Sequence, residues 1–446
     1  MDEFKNSTNS NLLKESLENI EVRLITNLIQ NTNITKEELI FIAKNKKDEF
    51  PEEWIKLRKK FGTILNIVNK SIKYKDLWDQ IYNNQESKLY YLCNLSNNIV
   101  LNFKNPIRTI STVSTEKKYT AILIDENNHI YVKGDNFYNQ LLLTEKNIDD
   151  WKLVKNTKLA NCRKVFLGWS HSIFLCEDKL YGAGCGADGR IGNNSLDDKC
   201  SLSEVILDDK IKKVECGSTN TYFLSEGGDI YSCGLKYYLG QNSDDKDLLI
   251  PKKIQIDSKY KFVDISVGDG GYHILALNEN GEVYSWGHNR VGQTSIIQDY
   301  DFKEDLKVYW VRYPTKIKID RPILKISTGW GHSGLLDFEG NVYLFGRNCT
   351  GQLGLSKSQS KINKVSKTYY NNEIIRLNFD RKIKDLYCGH VDTLFLTKNH
   401  LMENEFYRIG NLREEANFDK NFKLVNTFEN IKGIKINDSY TILIEK

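Results

Sequence analysis

The sequence predicts a mainly β chain: a seven-bladed β-propeller closed by pairing of its N- and C-terminal segments, preceded by a small α-helical region. Three observations predict it. A two-strand tile recurs along the chain with a period of about 50 residues. Each end of the tiled region carries the half-tile that the other end lacks, and before Ser87 the apolar spacing changes from alternating to helical.

The tile is clearest in "VGDGGYHILALNENGEVYSWGHNRVGQ", Val267 to Gln293. It reads glycine, a polar residue, an apolar strand, an acidic or glycine turn, then a Tyr-centred strand that ends in glycine. Further copies start at Phe166, Val214 and Ile326, and weaker ones at Lys117 and Tyr387. The first anchor falls at Tyr119, His171, Asn220, His273, His332, Asp392 and Tyr440, and the closing glycine at Gly134, Gly184, Gly234, Gly287, Gly346 and Gly410. Length varies between tiles more than within them, as expected of a hairpin unit joined by surface loops. In "EVYSWG" Val283, Ser285 and Gly287 face one way and Tyr284 and Trp286 the other, and "NENG", "SEGGD" and "DFEGN" are hairpin-turn sequences.

The last tile stops after one strand, Ile431 to Lys446, while Ser87 to Phe103 reads as a second half-tile with Cys93 in the glycine position. Pairing them closes a ring and removes two open sheet edges. Residues 1–16 read as a disordered tail and 17–86 as helical: Leu17, Ile20, Leu24 and Leu28 follow helical spacing, Thr35 and Glu38 form a capping box, and Pro51 suits a first helical turn.

Composition narrows the function. The chain has 446 residues, and 63 basic side chains against 59 acidic ones leave a formal charge of +4, which does not call for nucleic acid. Nine cysteines without C-x-x-C spacing read as reduced, buried thiols. No signal core and no run of 18 apolar residues occurs, so a cytoplasmic or nuclear protein, off the membrane and monomeric, is expected. The histidine slot also accepts Asn220 and Asp392, and no nucleophile, carboxylate pair or metal spacing accompanies it. His171, His273 and His332, with Gly184, Gly234, Gly287 and Gly346, are therefore expected to be structural. No catalytic residue, metal or cofactor is expected.

The tiles resemble the regulator of chromosome condensation repeat, most fully at Gly329-Trp330-Gly331-His332-Ser333 and Gly340 to Gly354. The resemblance covers residues 87 to 446 and implies a propeller whose blade loops bind a protein. The residues after each tile's first glycine would lie on the partner face, giving Trp169, Ser170, Asp269, Trp330 and His390 as partner-binding candidates. Exchange factors of this family for small GTPases commonly carry acids there; here only Asp269 is acidic. The segments "FPEEWIKL" and "NIVNKSIKYKDLWDQIY" resemble the ends of an F-box, shortened between Pro51 and Trp78. That resemblance implies a Skp-type adaptor bound through Pro51, Leu57 and Trp78, with a ubiquitination substrate on the propeller. Three readings follow: a recognition scaffold, a ubiquitin-ligase substrate receptor, or a guanine-nucleotide exchange factor.

Overall fold

Each tile, with the connectors on either side, becomes one antiparallel sheet in the computed structural model, its strands here lettered a to d from the inside outward. The structure describes residues 87–445 with short interruptions, and side chains from residue 107 to residue 410; the expected helices and the candidates Pro51, Leu57 and Trp78 lie outside the described residues, as does Asp269. The chain divides into two units between Glu86 and Ser87.

Six blades follow one another. Their a strands are Ile107–Ser114, Cys162–Leu167, Ile211–Cys216, Phe262–Val267, Ile323–Thr328 and Ile383–Cys388. The b and c strands are the two halves of the tile, for example His273–Asn278 and Val283–His288 in blade 4. The d strand comes from the connector, for example Trp310–Lys316, and blade 5 adds the short strand Lys361–Ile362 outside its d strand. A further sheet joins the chain ends in the order Asn97–Phe103, Ser87–Cys93, Tyr440–Glu445, Ile431–Ile436. Its register sets Cys93 opposite Tyr440.

Alternation along each strand is read out by position in the blade. Strand b of blades 2 to 5 is buried at every residue, because neighbouring blades cover both its faces. Strand a is buried at only half its positions, with exposed or half-exposed residues between them. The core accordingly sits between blades. One cluster joins Ile122 and Val132 of blade 1 to Val165 and Phe174 of blade 2; another packs Tyr222 and Leu224 of blade 3 on Ile274 and Trp286 of blade 4. Trp286 is fully buried, edge-on to Tyr222 at 6.1 Å between ring centres. Burying such a side chain contributes about 1.5–3 kcal/mol, and no blade can do so alone.

Three of the b–c hairpins, in blades 1, 4 and 5, close by one repeated device. The last b residue, Asp125, Asn278 or Asp337, uses a side-chain oxygen to accept backbone N–H groups two and four residues on, at 2.8 to 3.1 Å. Strand c ends on a glycine with φ near +100°, as at Gly184 and Gly346, and a Cβ there would lie 2.5 to 2.6 Å from the carbonyl oxygen of Ser170 or Gly331. That left-handed conformation and close approach both exclude a side chain. The register corrects one anchor: Thr120, not Tyr119, pairs with Gly134, as His171 pairs with Gly184 and His273 with Gly287. Blade 1 lacks the tile's opening glycine, so its sequence leaves the slot uncertain by one residue until the register places it at Thr120.

Eight described cysteines are free, and all but Cys349 are buried. No helix among the described residues is long and apolar enough to cross a membrane.

Candidate protein-binding face

The antiparallel order places every a–b turn and every c–d connector at the same end of the blades. At the a–b turn the inner glycines of successive blades nearly touch. A Cβ on Gly329 would sit 2.1 Å from the Gly389 carbonyl oxygen and 2.5 Å from Cε1 of His332; on Gly168 it would sit 2.3 Å from Cε1 of His171. The chain turns there without a side chain, and the residue after the glycine is delivered to the rim. Its backbone is tied to the next blade: the Trp169 amide donates to the Gly217 carbonyl at 3.4 Å, and the Trp330 amide to the Gly389 carbonyl at 3.3 Å.

Beneath the rim lie the slot residues. His171, His273 and His332 are fully buried, and Nε2 of each meets a hydroxyl on strand b of the following blade: Thr221 at 2.8 Å, Ser333 at 2.8 Å and Thr393 at 2.9 Å. Those hydroxyls donate to the carbonyls of Arg190, Gln293 and Gln352 at 2.6 to 2.8 Å, so each accepts from an Nε2–H. Burial lowers all three histidines to about 3, so they stay neutral at ordinary pH. Asn220 precedes a blade that offers Ile274 instead of a hydroxyl, and it bonds within its own blade, to the carbonyls of Cys233 and Leu235. Asp392 forms an ion pair with Arg408. The slot links blades; its imidazoles have no solvent access through which to serve a substrate. A histidine here with Ser or Thr one place past the next slot was a pairing present in the sequence, but only the register makes those residues neighbours.

On the rim itself Trp169 is 43% exposed. Trp330 is half-buried and stacks on His390 at 4.8 Å with 8° between planes, while the Arg347 guanidinium lies 4.4 Å from its ring centre. Ser170 departs from expectation: it is buried, and its hydroxyl accepts from Arg190 Nη1 at 3.0 Å. It belongs to the scaffold, because Arg190 reaches from the connector to hold it and the Ser218 carbonyl together.

Further aromatic residues of this face come from connectors, apart from Tyr272 of the a–b turn, and carry no repeat signal. Tyr237 stacks on Trp310 at 4.7 Å, Tyr238 lies 5.1 Å from Tyr272, and Phe137 is 43% exposed with the Lys199 ammonium 4.9 Å from its ring centre. Burial raises the Tyr238 phenol to about 12. Connectors differ between tiles, so no repeat pattern flags these residues; the aromatic pairs in "KYY" and "YW" were the available signal.

The fold and slot define a repeat β-propeller. Residues 262–293 and 280–336 match models of the regulator of chromosome condensation (RCC1) repeat. The Ultraviolet-B receptor UVR8 of Arabidopsis thaliana is 32% identical over 202 residues, covering 44% of this chain and 43% of that protein. The regulator of chromosome condensation of Mus musculus is 30% identical over 167 residues, 37% of either chain. The chain thus spans under half the length of these curated relatives. Human WBSCR16 superimposes with a TM-score of 0.64 at 15% identity, covering 81% of this chain and 98% of that one. Prp20p of Saccharomyces cerevisiae, whose structure was described with its binding properties to Gsp1p and histones, gives 0.63 at 16% identity, covering 81% and 92%. At such identities the solved structures show the propeller fold. The sequence matches show repeats of the regulator of chromosome condensation type over residues 262–336.

Proposed function

We propose that the chain is a recognition scaffold, in the cytoplasm or nucleus, that binds a protein partner through the a–b turns and c–d connectors of its blades. The observation that carries this reading is the placement of Trp169 and Trp330, their amides hydrogen-bonded to the next blade, on the same end of the propeller as the inter-blade Tyr237–Trp310 stack. Rigid aromatic anchors lose little entropy on binding and dominate interface energies. The scaffold is read as a closed seven-bladed ring, with the sheet of the two chain ends as seventh blade; the position of Ile431–Ile436 against both Ile107–Ser114 and Ile383–Cys388 supports it.

The test is affinity purification with the full chain, repeated with Trp169→Ala and Trp330→Ala together. Anchors of this kind cost about 2 kcal/mol or more each, so partners of this face should be lost by well over tenfold while the melting temperature holds. Retention of every partner by the double variant would refute the reading. The identity of what is lost separates its versions. A small GTPase supports exchange, although the described rim positions Trp169-Ser170, Ser218-Thr219, Trp330-Gly331 and His390-Val391 carry no acid. A Skp-type adaptor retained by this variant, but lost with Pro51→Ala and Trp78→Ala, supports the substrate-receptor version.

A further inference from the structure

At the opposite end from the tryptophans, the third residue of each a strand forms a belt: Thr109, Lys164, Lys213, Asp264, Lys325 and Asp385 in blades 1 to 6. Two inter-blade ion pairs fill most of it. Lys213 Nζ lies 2.7 Å from Asp264, 2.9 Å from Glu215 of its own strand, and donates to the Ile265 carbonyl at 2.7 Å. Lys325 pairs with Asp385, its ammonium 3.9 Å from the Tyr387 ring centre. Those acids raise the Lys213 ammonium despite its burial.

The alternation fails between blades 1 and 3. Lys164 has Thr109 on one side and Lys213 on the other, where the pattern would supply an acid. The preceding position of the strand is cationic in blades 1, 2, 3 and 6, with Arg108, Arg163, Lys212 and Lys384, and apolar in blades 4 and 5, with Val263 and Leu324; only at Arg108 and Arg163 does it adjoin the unmatched Lys164 without a belt acid. A cavity of about 470 Å³ opens at this gap, lined among the described residues by Arg108, Thr109, Arg163 and Lys164, none of them acidic. The Arg108 guanidinium is held in its own blade, by the Glu126 carboxylate at 3.2 Å, the Glu126 carbonyl at 2.8 Å and the Asn128 side-chain oxygen, whereas no hydrogen bond or ion pair of the Arg163 guanidinium or Lys164 ammonium is found among the described residues.

We infer that this gap is an anion site for a small, multiply charged phosphate compound. The Arg163 guanidinium supplies a forked donor, the Lys164 ammonium a point charge and the Thr109 hydroxyl a neutral donor, a set that suits several phosphate oxygens, while Arg108, its donors already taken by Glu126 and Asn128, adds only its charge. The volume lies in the range of small-molecule sites. The site is independent of the aromatic face, which sits at the other end of the blades.

The experiment is calorimetric titration of the full chain with sodium tripolyphosphate at about 0.1 M salt, where charges beyond about 10 Å are screened. Binding of the unaltered chain is expected, with Kd raised at least tenfold by Arg163→Gln with Lys164→Gln. Lys382→Gln with Lys384→Gln, which removes equal charge from blade 6 at the same end, should change it less than twofold. Melting curves confirm that both variants fold; all four side chains are exposed, so they should. No heat from the unaltered chain, or equal weakening by both variants, would overturn the site. So would binding only to phosphatidylserine-containing vesicles with no response to tripolyphosphate.

Discussion

The slot histidine shows how one position can look like chemistry and act as a joint. His273 hands Nε2–H to Ser333 across a blade boundary. Replacing it with Asn shortens the reach, and by the example of Asn220 the amide can bond within its own blade, so a loss of about 1 kcal/mol is expected. Leu in its place forfeits both options and should cost about 1–3 kcal/mol; chemical denaturation of the two variants orders them. A pH effect follows from the same burial. Each of the three histidines is held near 3 in the fold against 6.5 in the unfolded chain, so the unfolded state takes up protons first as pH falls. Their contribution is complete above about 6.5 and is lost progressively down to about 3, by up to about 1.4 kcal/mol per histidine per pH unit. His273→Asn should therefore flatten the fall of stability between about pH 6 and pH 4; an unchanged slope would place the protons elsewhere.

At the scale of the element, the a–b turn is decided by which of its glycines meets backbone. In "GWG" of blade 5, Gly329 abuts the Gly389 carbonyl and the His332 ring, while the nearest atoms to a Cβ on Gly331 are those of Arg347, at 3.4 Å. Gly329→Ala should destabilise by about 2 kcal/mol or more, because rigid backbone must shift. Gly331→Ala should stay within about 0.5 kcal/mol. Thermal melting of the pair tests whether the turn is fixed by inter-blade approach. The repeat marks Gly329 as the recurring glycine, with Gly168 and Gly217 as counterparts, while Ser170 and Thr219 stand where Gly331 does; the backbone that requires it becomes visible only between blades. Blade 1 shows the limit: without the opening glycine its sequence points to Tyr119 as the slot, and pairing across to Gly134 places it at Thr120.

At the scale of the molecule, each blade is covered by its neighbours, so loss of one sheet is felt in the blades beside it. The segment Ile431–Glu445 supplies two of the four strands of the sheet that joins the chain ends, and the strand Ser87–Cys93 pairs directly with Tyr440–Glu445. Deleting residues 431–446 should expose unpaired edges and lower both solubility and melting temperature, where removal of a loose tail would change neither. Light scattering with a melting curve checks this.

What the sequence alone determined was the repeat: hairpin strands from alternation of apolar residues, turns from Asn, Asp and Gly, and a family resemblance from Gly-x-x-His-Ser with Tyr-centred strands. These are local and recur in each tile, so each copy supports the reading of the others. What only the tertiary structure decided lies between tiles. Trp169 and Ser170 are sequence neighbours after one glycine, yet the first is exposed and the second is held by Arg190. The stack of Tyr237 on Trp310 and the unmatched lysine at Lys164 join residues from different blades. Sequence patterns report which face of a strand is apolar; which side chains meet across a blade boundary depends on the register and rotation of neighbouring sheets, and these are set by packing of the whole ring.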